Sequence, residues 1–353
     1  MSRRTVTAAS APAATLAVAD LEVELALPNA GLEVDFLGPT LRGLIGYGLR
    51  EVACHHASDE HGRCSCPARC DYAYLFEGAH PAPPRVLLDR SSALPQPFRL
   101  LVPAPHSPRD PHAVRFAIRL FGSRAIGLAP RVIDAIDARR PHGIGFRAAR
   151  YTLARAAIGP TRTLRLGTAA TPARTLDVRF LTPTMLRRSQ RAPDQTASPH
   201  APAITATDLV HAGRARAWLL AHAYGSGAAH LPDHRRSDAI GCAPRVTLTG
   251  QPALASWRIR RHSGRQHRTV DLAGVMGQCT FDGNWSAERW WLGIAHEIGL
   301  GRHTSFGLGH VQLPDVEPAH AEPTSTRARL PRWIQLRGLP PAHARTRPMP
   351  TAV

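Results

Sequence analysis

The chain has 353 residues, 43% of them hydrophobic, which is enough for a packed core and two domains and excludes a chain that is disordered throughout. Its formal charge is +18, and because lysine is absent all 44 basic residues are arginine. No apolar run approaches the ~20 residues of a membrane span, so composition excludes a membrane-spanning helix and favours a polyanionic partner, nucleic acid first, over a basic protein with no such partner.

Residues 1–13 open with paired arginines and small residues, "MSRRTVTAAS". This resembles an export signal only faintly, so the stretch reads as a disordered leader to a cytoplasmic protein. "LAVADLEVELAL" alternates at Leu21, Val23 and Leu25 and predicts a strand. "LRGLIGYGLREVAC" predicts an amphipathic helix with Leu41, Leu44, Ile45, Leu49 and Val52 on its apolar face. Its three glycines each cost about 1 kcal/mol relative to alanine, so a close backbone approach, by this chain or by a ligand, is expected there.

A cysteine-rich insertion follows at 54–70, containing Cys54, Cys64, Cys66 and Cys70. The spacing matches no standard finger. It is either a candidate structural zinc site, with His55, His56 and His61 as further ligand types, or a reduced loop. "YAYLFEG", "PFRLLVPAP" and "AVRFAIRLFG" predict strands, "APRVIDAIDARR" a helix, and "PHGIGFRAARYTLARAAI" a glycine turn entering a strand.

The second half repeats the order. "RTLDVRFLTPT" predicts a strand, "DLVHAGRARAWLLAHAYG" a helix with Asp208 as N-cap, and "RVTLTG", "ASWRIRR" and "VDLAGVMGQCTFDG" strands. "NWSAERWWLGIAHEIG" predicts the last helix and "GHVQL" the last strand. The pattern is an α+β chain of tandem ferredoxin-like (βαββαβ, RRM-like) domains at 14–160 and 172–313, followed by a Pro/Arg-rich tail at 314–353.

Between the last helix and strand lies "GLGRHTSFGLG", a glycine-rich loop at 299–309. It is no dinucleotide fingerprint, because Thr304 stands at the third glycine and a helix precedes it; without lysine it is no P-loop; and Leu300 spoils the zincin pattern begun by "HEIGL". Glycines bring a backbone close to a ligand and expose its N–H groups. Gly299, Gly301, Gly307 and Gly309, with Arg302 and His303 between them, are therefore candidates for contact with an RNA backbone. Phe306 is either a base-stacking platform or, the favoured reading, a buried anchor.

A helix, then G-x-G-x5-G-x-G, then a terminal strand resembles the signature of the RAMP superfamily of CRISPR-associated proteins. More narrowly, the chain resembles the endoribonucleases that process precursor CRISPR RNA. The likeness extends to "WRIRRHSGRQHRTVDLAGVMGQCTF", "TLRGLIGYGLREVAC", "CDYAYLFEG", "PFRLLVPAP", "IRLFGSRA" and "HGIGFRAARYTL". It implies CRISPR repeat RNA or crRNA as partner and cleavage without a metal or other catalytic cofactor, by attack of the 2′-OH, leaving a 2′,3′-cyclic phosphate and a 5′-hydroxyl. Such cleavage needs a general base, an acid and cations on the phosphorane.

The family's catalytic histidine implies His55 or His56 here, with Tyr47, Arg42 and Arg50 nearby. Either histidine is also a candidate metal ligand, and His303 is the next candidate, for chemistry or for holding RNA. Arg258, Arg260, Arg261, Arg265 and Arg268 on a strand pair, and Arg187, Arg188 and Arg191 in a polar loop, are candidates for phosphate contacts with a hairpin stem. The rival readings are a non-catalytic RAMP subunit that binds crRNA beside other effector-complex subunits, and a general RNA-binding protein.

Overall fold

The computed structural model describes residues 13–29, 32, 34–54, 64, 70–80, 83–88, 94–105, 107–166, 174–186, 204–231, 247–263 and 268–316. His55, His56, Cys66, Arg187, Arg188, Arg191 and Arg265 lie outside the described residues, as do most of the leader and most of the tail. For Arg261 and Arg268 only the strand position is described. No described helix is long and apolar enough to cross a membrane.

The first unit runs β1 (Thr15–Ala26), α1 (Gly38–Ala53), α2 (Arg85–Leu88), β2 (Phe98–Leu101), β3 (Ala113–Phe121), α3 (Ser123–Gly127), α4 (Ala129–Ala138) and β4 (Thr152–Ile158). Its antiparallel sheet has the order β2-β3-β1-β4. β5 (Arg162–Arg165), which the sequence pattern did not reveal, pairs with the opening of β1 over Thr15–Val18. The second unit runs β6 (Thr175–Thr184), α5 (Ala206–Tyr224), β7 (Thr247–Ser263), β8 (Arg268–Asp282), α6 (Arg289–Ile298) and β9 (Val311–Gln312). Its order, β7-β8-β6-β9, repeats the first with the same connectivity. Both units are thus ferredoxin-like, and the α+β expectation holds.

Three local expectations are corrected. "YAYLFEG" is not a strand: Ala73–Glu77 forms a π-helical turn closed by Gly78 in the left-handed region. Ala73, Tyr74, Leu75 and Phe76 are all buried, and a short apolar run buried on every side carries no period to tell strand from helix. The N-cap of α5 is Thr205, not Asp208. Thr205 has extended backbone angles and accepts the Asp208 N–H, while the Asp208 carboxylate accepts the Thr205 N–H, a capping box. "RVTLTG" and "ASWRIRR" belong to one strand, β7, with a register shift between Thr249 and Ala253.

Packing ties the units together through β1. Its buried positions change phase along the strand: Leu16 and Val18 point to one face, Leu21, Val23 and Leu25 to the other. Leu21, Val23 and Leu25 enter the core under α1 and α4. Leu16 and Val18, with Phe121 and Leu164, join the core of the second unit. In return the β7–β8 hairpin lays Leu272, Trp257 and Ile259 on the first unit's core, with Trp257 edge-on to Phe36 at 5.4 Å.

The glycines of α1 behave as their cost suggested. A Cβ on Gly46 would meet the Phe76 ring and one on Gly48 the Ala135 carbonyl, so both admit a neighbour from this chain.

Candidate active site

Strand register builds a charged row across the first sheet. Asp20 on β1 stands opposite Arg119 on β3, and Arg119 opposite Arg99 on β2. The row faces the C-terminal end of α6. Arg119 holds Asp20 at 2.6 Å and Glu297 at 2.6 Å, and Arg162 reaches the same two carboxylates at 3.2 and 2.8 Å. Arg99 donates to the carbonyls of His296 and Glu297 at 3.1 and 3.2 Å, and Arg216 to that of Ile298 at 2.7 Å. Three guanidinium groups with Arg119 thus gather at the negative end of one helix dipole, where cations are stabilised.

The electrostatics follow. Burial opposes the charge on Glu297, but Arg119, His296 and Arg162 outweigh it and hold the carboxyl well below its usual range. Arg99 is pulled well down by burial and by Arg119 and Arg216, and Arg216 down to about 10 by burial. His310, fully buried near Arg99, Arg119 and His296, is held neutral by desolvation and by those charges.

The glycine-rich loop leaves this anchored helix end. Gly299, Gly301, Gly307 and Gly309 have φ between 72 and 80°, and His303 is left-handed at 60°. The N–H groups of Gly299, Gly307 and Gly309, however, are turned inward. Gly299 donates to Ala295, Leu300 to Gly309, Arg302 to Met185, Gly307 to Thr304 and Gly309 to Pro183, all at 2.8–3.0 Å. A Cβ on Gly299 would meet the Arg99 guanidinium, on Gly301 the Met185 carbonyl, on Gly307 Val102 and on Gly309 the Leu300 carbonyl. The expected display of N–H groups at Gly299, Gly307 and Gly309 is therefore corrected. These glycines admit the protein's own backbone and side chains, which fixes the loop's shape.

What the loop presents is its tip. Arg302 and His303 are exposed, while Thr304 to Gly309 are buried. Phe306 is the anchor: buried, with the His303 ring edge-on at 5.7 Å. The Arg42 guanidinium lies over the Phe306 ring at 4.3 Å and over Phe76 at 5.0 Å. Gly38 completes the seam, since any Cβ there would collide with the Phe306 carbonyl. Further along α1, Arg50 lies 5.8 Å over Tyr72, which stacks on Phe76.

Arg42 and His303 are thus brought to one aromatic ring, with Arg302 adjoining. Tyr47 is not. Five residues along a helix is about 140° of rotation from Arg42, and Tyr47 projects beside Arg139 on the α4 side. Arg258 and Arg260 alternate with Trp257 and Ile259, so the arginines face outward and the apolar pair inward. The Sγ atoms of Cys54, Cys64 and Cys70 lie within 4.8 Å of one another. The sequence reading missed Arg99, Arg119 and Glu297. For the two arginines the available signal was a charged residue flanked on both sides by apolar ones within a strand, Phe98 and Leu100 about Arg99, Ile118 and Leu120 about Arg119.

The loop thus presents a basic tip with an imidazole, seated on the second of two ferredoxin-like units. Residues 178–311 match the family model described as CRISPR-associated endoribonuclease Cas6, and residues 16–170 match a model described as an N-terminal domain. The endoribonuclease match thus falls on the second unit, and the match to the N-terminal domain model falls on the first. Among solved structures, a Cas6 product complex shares 17% identity over 86% of this chain and 100% of its own, with a TM-score of 0.47. Thermus thermophilus Cas6 gives 17%, 86%, 100% and 0.44, and a Cas6-related protein from Pyrococcus furiosus 11%, 84%, 98% and 0.39. No curated protein matches the chain.

Proposed function

We propose that this enzyme binds CRISPR repeat RNA and cleaves precursor crRNA by internal transesterification, with the RNA's own 2′-OH as nucleophile and with no catalytic metal. The products carry a 2′,3′-cyclic phosphate and a 5′-hydroxyl, and the enzyme keeps hold of the crRNA. One observation carries the reading: the loop tip raises the His303 imidazole and the Arg302 guanidinium out of a rigid, internally bonded loop, beside Arg42 on the Phe306 ring.

Each part has a role in this chemistry. His303 exchanges a proton with the 2′-OH or the departing 5′-oxygen, since imidazole is the side chain suited to either near neutral pH. Arg302 and Arg42 offset the charge that develops on the phosphorane. Arg258 and Arg260, outward on the hairpin, add phosphate contacts that make binding salt-dependent. His55 and His56 follow α1 directly in sequence and are the alternative proton carriers.

Repeat RNA incubated with the protein in EDTA tests the proposal. Expected are a single cut, a cyclic phosphate end, and a rate reduced at least about a hundredfold in His303→Ala. A rate unchanged in His303→Ala, with the loss appearing in His55→Ala or His56→Ala, moves the proton transfer to the first unit. No change in any of the three overturns the mechanism.

A further inference from the structure

We propose that Cys54, Cys64 and Cys70 form a structural binding site for a thiophilic divalent cation, zinc being the metal this ligand set selects. Cys54 is the C-cap of α1, where the backbone turns extended. Cys70 immediately precedes the helical segment that carries Tyr72 and Phe76, and its thiol approaches the Ala53 carbonyl at 3.8 Å. Cys64 lies between them in sequence, 3.5 Å from Cys54 through sulfur and bonded through its N–H to Glu77 at 3.3 Å.

The geometry favours a metal over the alternatives. Thiolates around a tetrahedral zinc sit about 3.8 Å apart, given Zn–S bonds near 2.3 Å. The Cys54 and Cys64 sulfurs here lie 3.5 Å apart and all three lie within 4.8 Å of one another, with no disulfide joining them. A disulfide would draw one pair to about 2 Å and leave the third sulfur out. Soft thiolates favour zinc over magnesium or calcium. Binding displaces one proton from each thiol, with no change of oxidation state.

The position gives the site a purpose. It ties the end of α1 to the segment whose Phe76 fills the notch at Gly46 and, with Phe306, flanks Arg42. The metal is therefore a clamp on the wall of the RNA-cleavage site, and it takes no part in the reaction.

Elemental analysis of full-length protein, purified reduced and without chelator, tests this. About one zinc per chain is expected, falling severalfold in Cys64→Ser and in Cys70→Ser. Both thiols are buried, and protein produced in cobalt-supplemented medium gives a readout that does not depend on the folding of the serine variants. It is expected to show the intense thiolate-to-cobalt charge-transfer absorption. No zinc together with no such absorption overturns the site, as does a Cys54–Cys64 disulfide in the purified chain, or full zinc content in the folded serine variants. RNA cleavage is not the readout, so this proposal and the proposed function fail separately.

A second inference rests on a different observation, the most exposed large apolar side chain among the described residues. Phe146 is fully exposed, at 105%. It crowns a tight turn in which Ile144 and Ala149 exchange hydrogen bonds at 2.9 Å, with Gly143, Gly145 and even Ala148 at positive φ. His142, Arg147 and Arg150 around it are exposed. Gly145 lies against Thr40 in the first turn of α1, the same turn whose Gly38 abuts the glycine-rich loop.

We infer that this tip is a further RNA contact, in which Phe146 stacks on an unpaired base while the flanking arginines meet phosphate; it rests on the proposed function. A ring held in water by a rigid turn and ringed by cations matches the stacking platforms of single-strand binders. Phe146→Ala is expected to weaken repeat-RNA binding roughly tenfold and Phe146→Tyr to restore it, with thermal stability unchanged. Wild-type affinity in Phe146→Ala overturns the contact. Failure of the wild-type chain to bind repeat RNA at all overturns the proposed function instead.

Discussion

Gly309→Ala separates two explanations of the glycine-rich loop. Gly309 has φ of 72°, a region that costs a residue with a Cβ roughly 1–2 kcal/mol. The new Cβ would also fall far inside contact distance of the Leu300 carbonyl oxygen, which is backbone and cannot swing away. Relief requires Leu300 and Gly309 to part. That breaks the Leu300 N–H bond to the Gly309 carbonyl at 2.9 Å and strains the Gly309 N–H bond to Pro183 at 3.0 Å. Each is worth about 1 kcal/mol net, and up to about 3 if a buried group is left unpaired. The sum is about 3–8 kcal/mol, a large part of the 5–15 kcal/mol typical of whole-protein stability. Urea denaturation followed by tryptophan fluorescence measures it, because Trp285 and Trp291 lie in the adjoining core. Gly127→Ala is the control: its Cβ would meet nothing within 4 Å, and the change is expected within about 1 kcal/mol, in the stabilising direction. If Gly309→Ala unfolds within about 1 kcal/mol of wild type but loses RNA affinity, the glycine serves the ligand and the packing argument is wrong.

Three further outcomes concern two buried groups and a helix cap. His310 has its pKa lowered on folding from an ordinary 6.5 by burial and by Arg99, Arg119 and His296, against Glu297. Below pH 6.5 the unfolded chain therefore takes up a proton that the folded chain refuses, and stability falls by up to about 1.4 kcal/mol per pH unit; His310→Gln should flatten that slope in denaturation between pH 7.5 and 5, and an unchanged slope would exclude His310 as its source. Glu288, fully buried, accepts from Arg214 at 2.8 Å and from Trp291 at 2.5 Å. Glu288→Ala takes the carboxylate from a buried guanidinium and should cost about 3–5 kcal/mol, much of it recovered in Arg214→Met/Glu288→Leu; equal stability of the two variants would contradict the pairing. Thr205→Ala removes the α5 cap and should lower stability by about 1 kcal/mol, whereas Thr205→Ser should not, as thermal melts would show.

The tandem ferredoxin-like order was legible because it rests on local signals. Strand alternation in β1 and β6, the apolar stripes of α1 and α6, and repetition of one element order in both halves are read within short windows. The same locality explains the misreadings. Tyr72 to Phe76 is apolar on every side, so no periodicity distinguished a buried helical turn from a strand. Asp208 looked like a cap, yet the residue with extended backbone angles is Thr205, three positions earlier, and the two cap each other.

The site divides along the same line. Sequence by itself determined the basic chemistry of the chain, the loop between the last helix and strand, and Arg302 and His303 as its polar members. Only the tertiary structure decided what the glycines are for. Several of their partners, Arg99, Val102, Met185 and Pro183, lie more than a hundred residues away, beyond the reach of any local pattern. It also decided which arginines are buried. Arg99 and Arg119 read as ordinary basic residues until strand register aligns them with Asp20 and domain packing sets the α6 carboxyl end against them. Contacts that depend on register and docking leave no local mark in a sequence, because either partner alone is compatible with solvent.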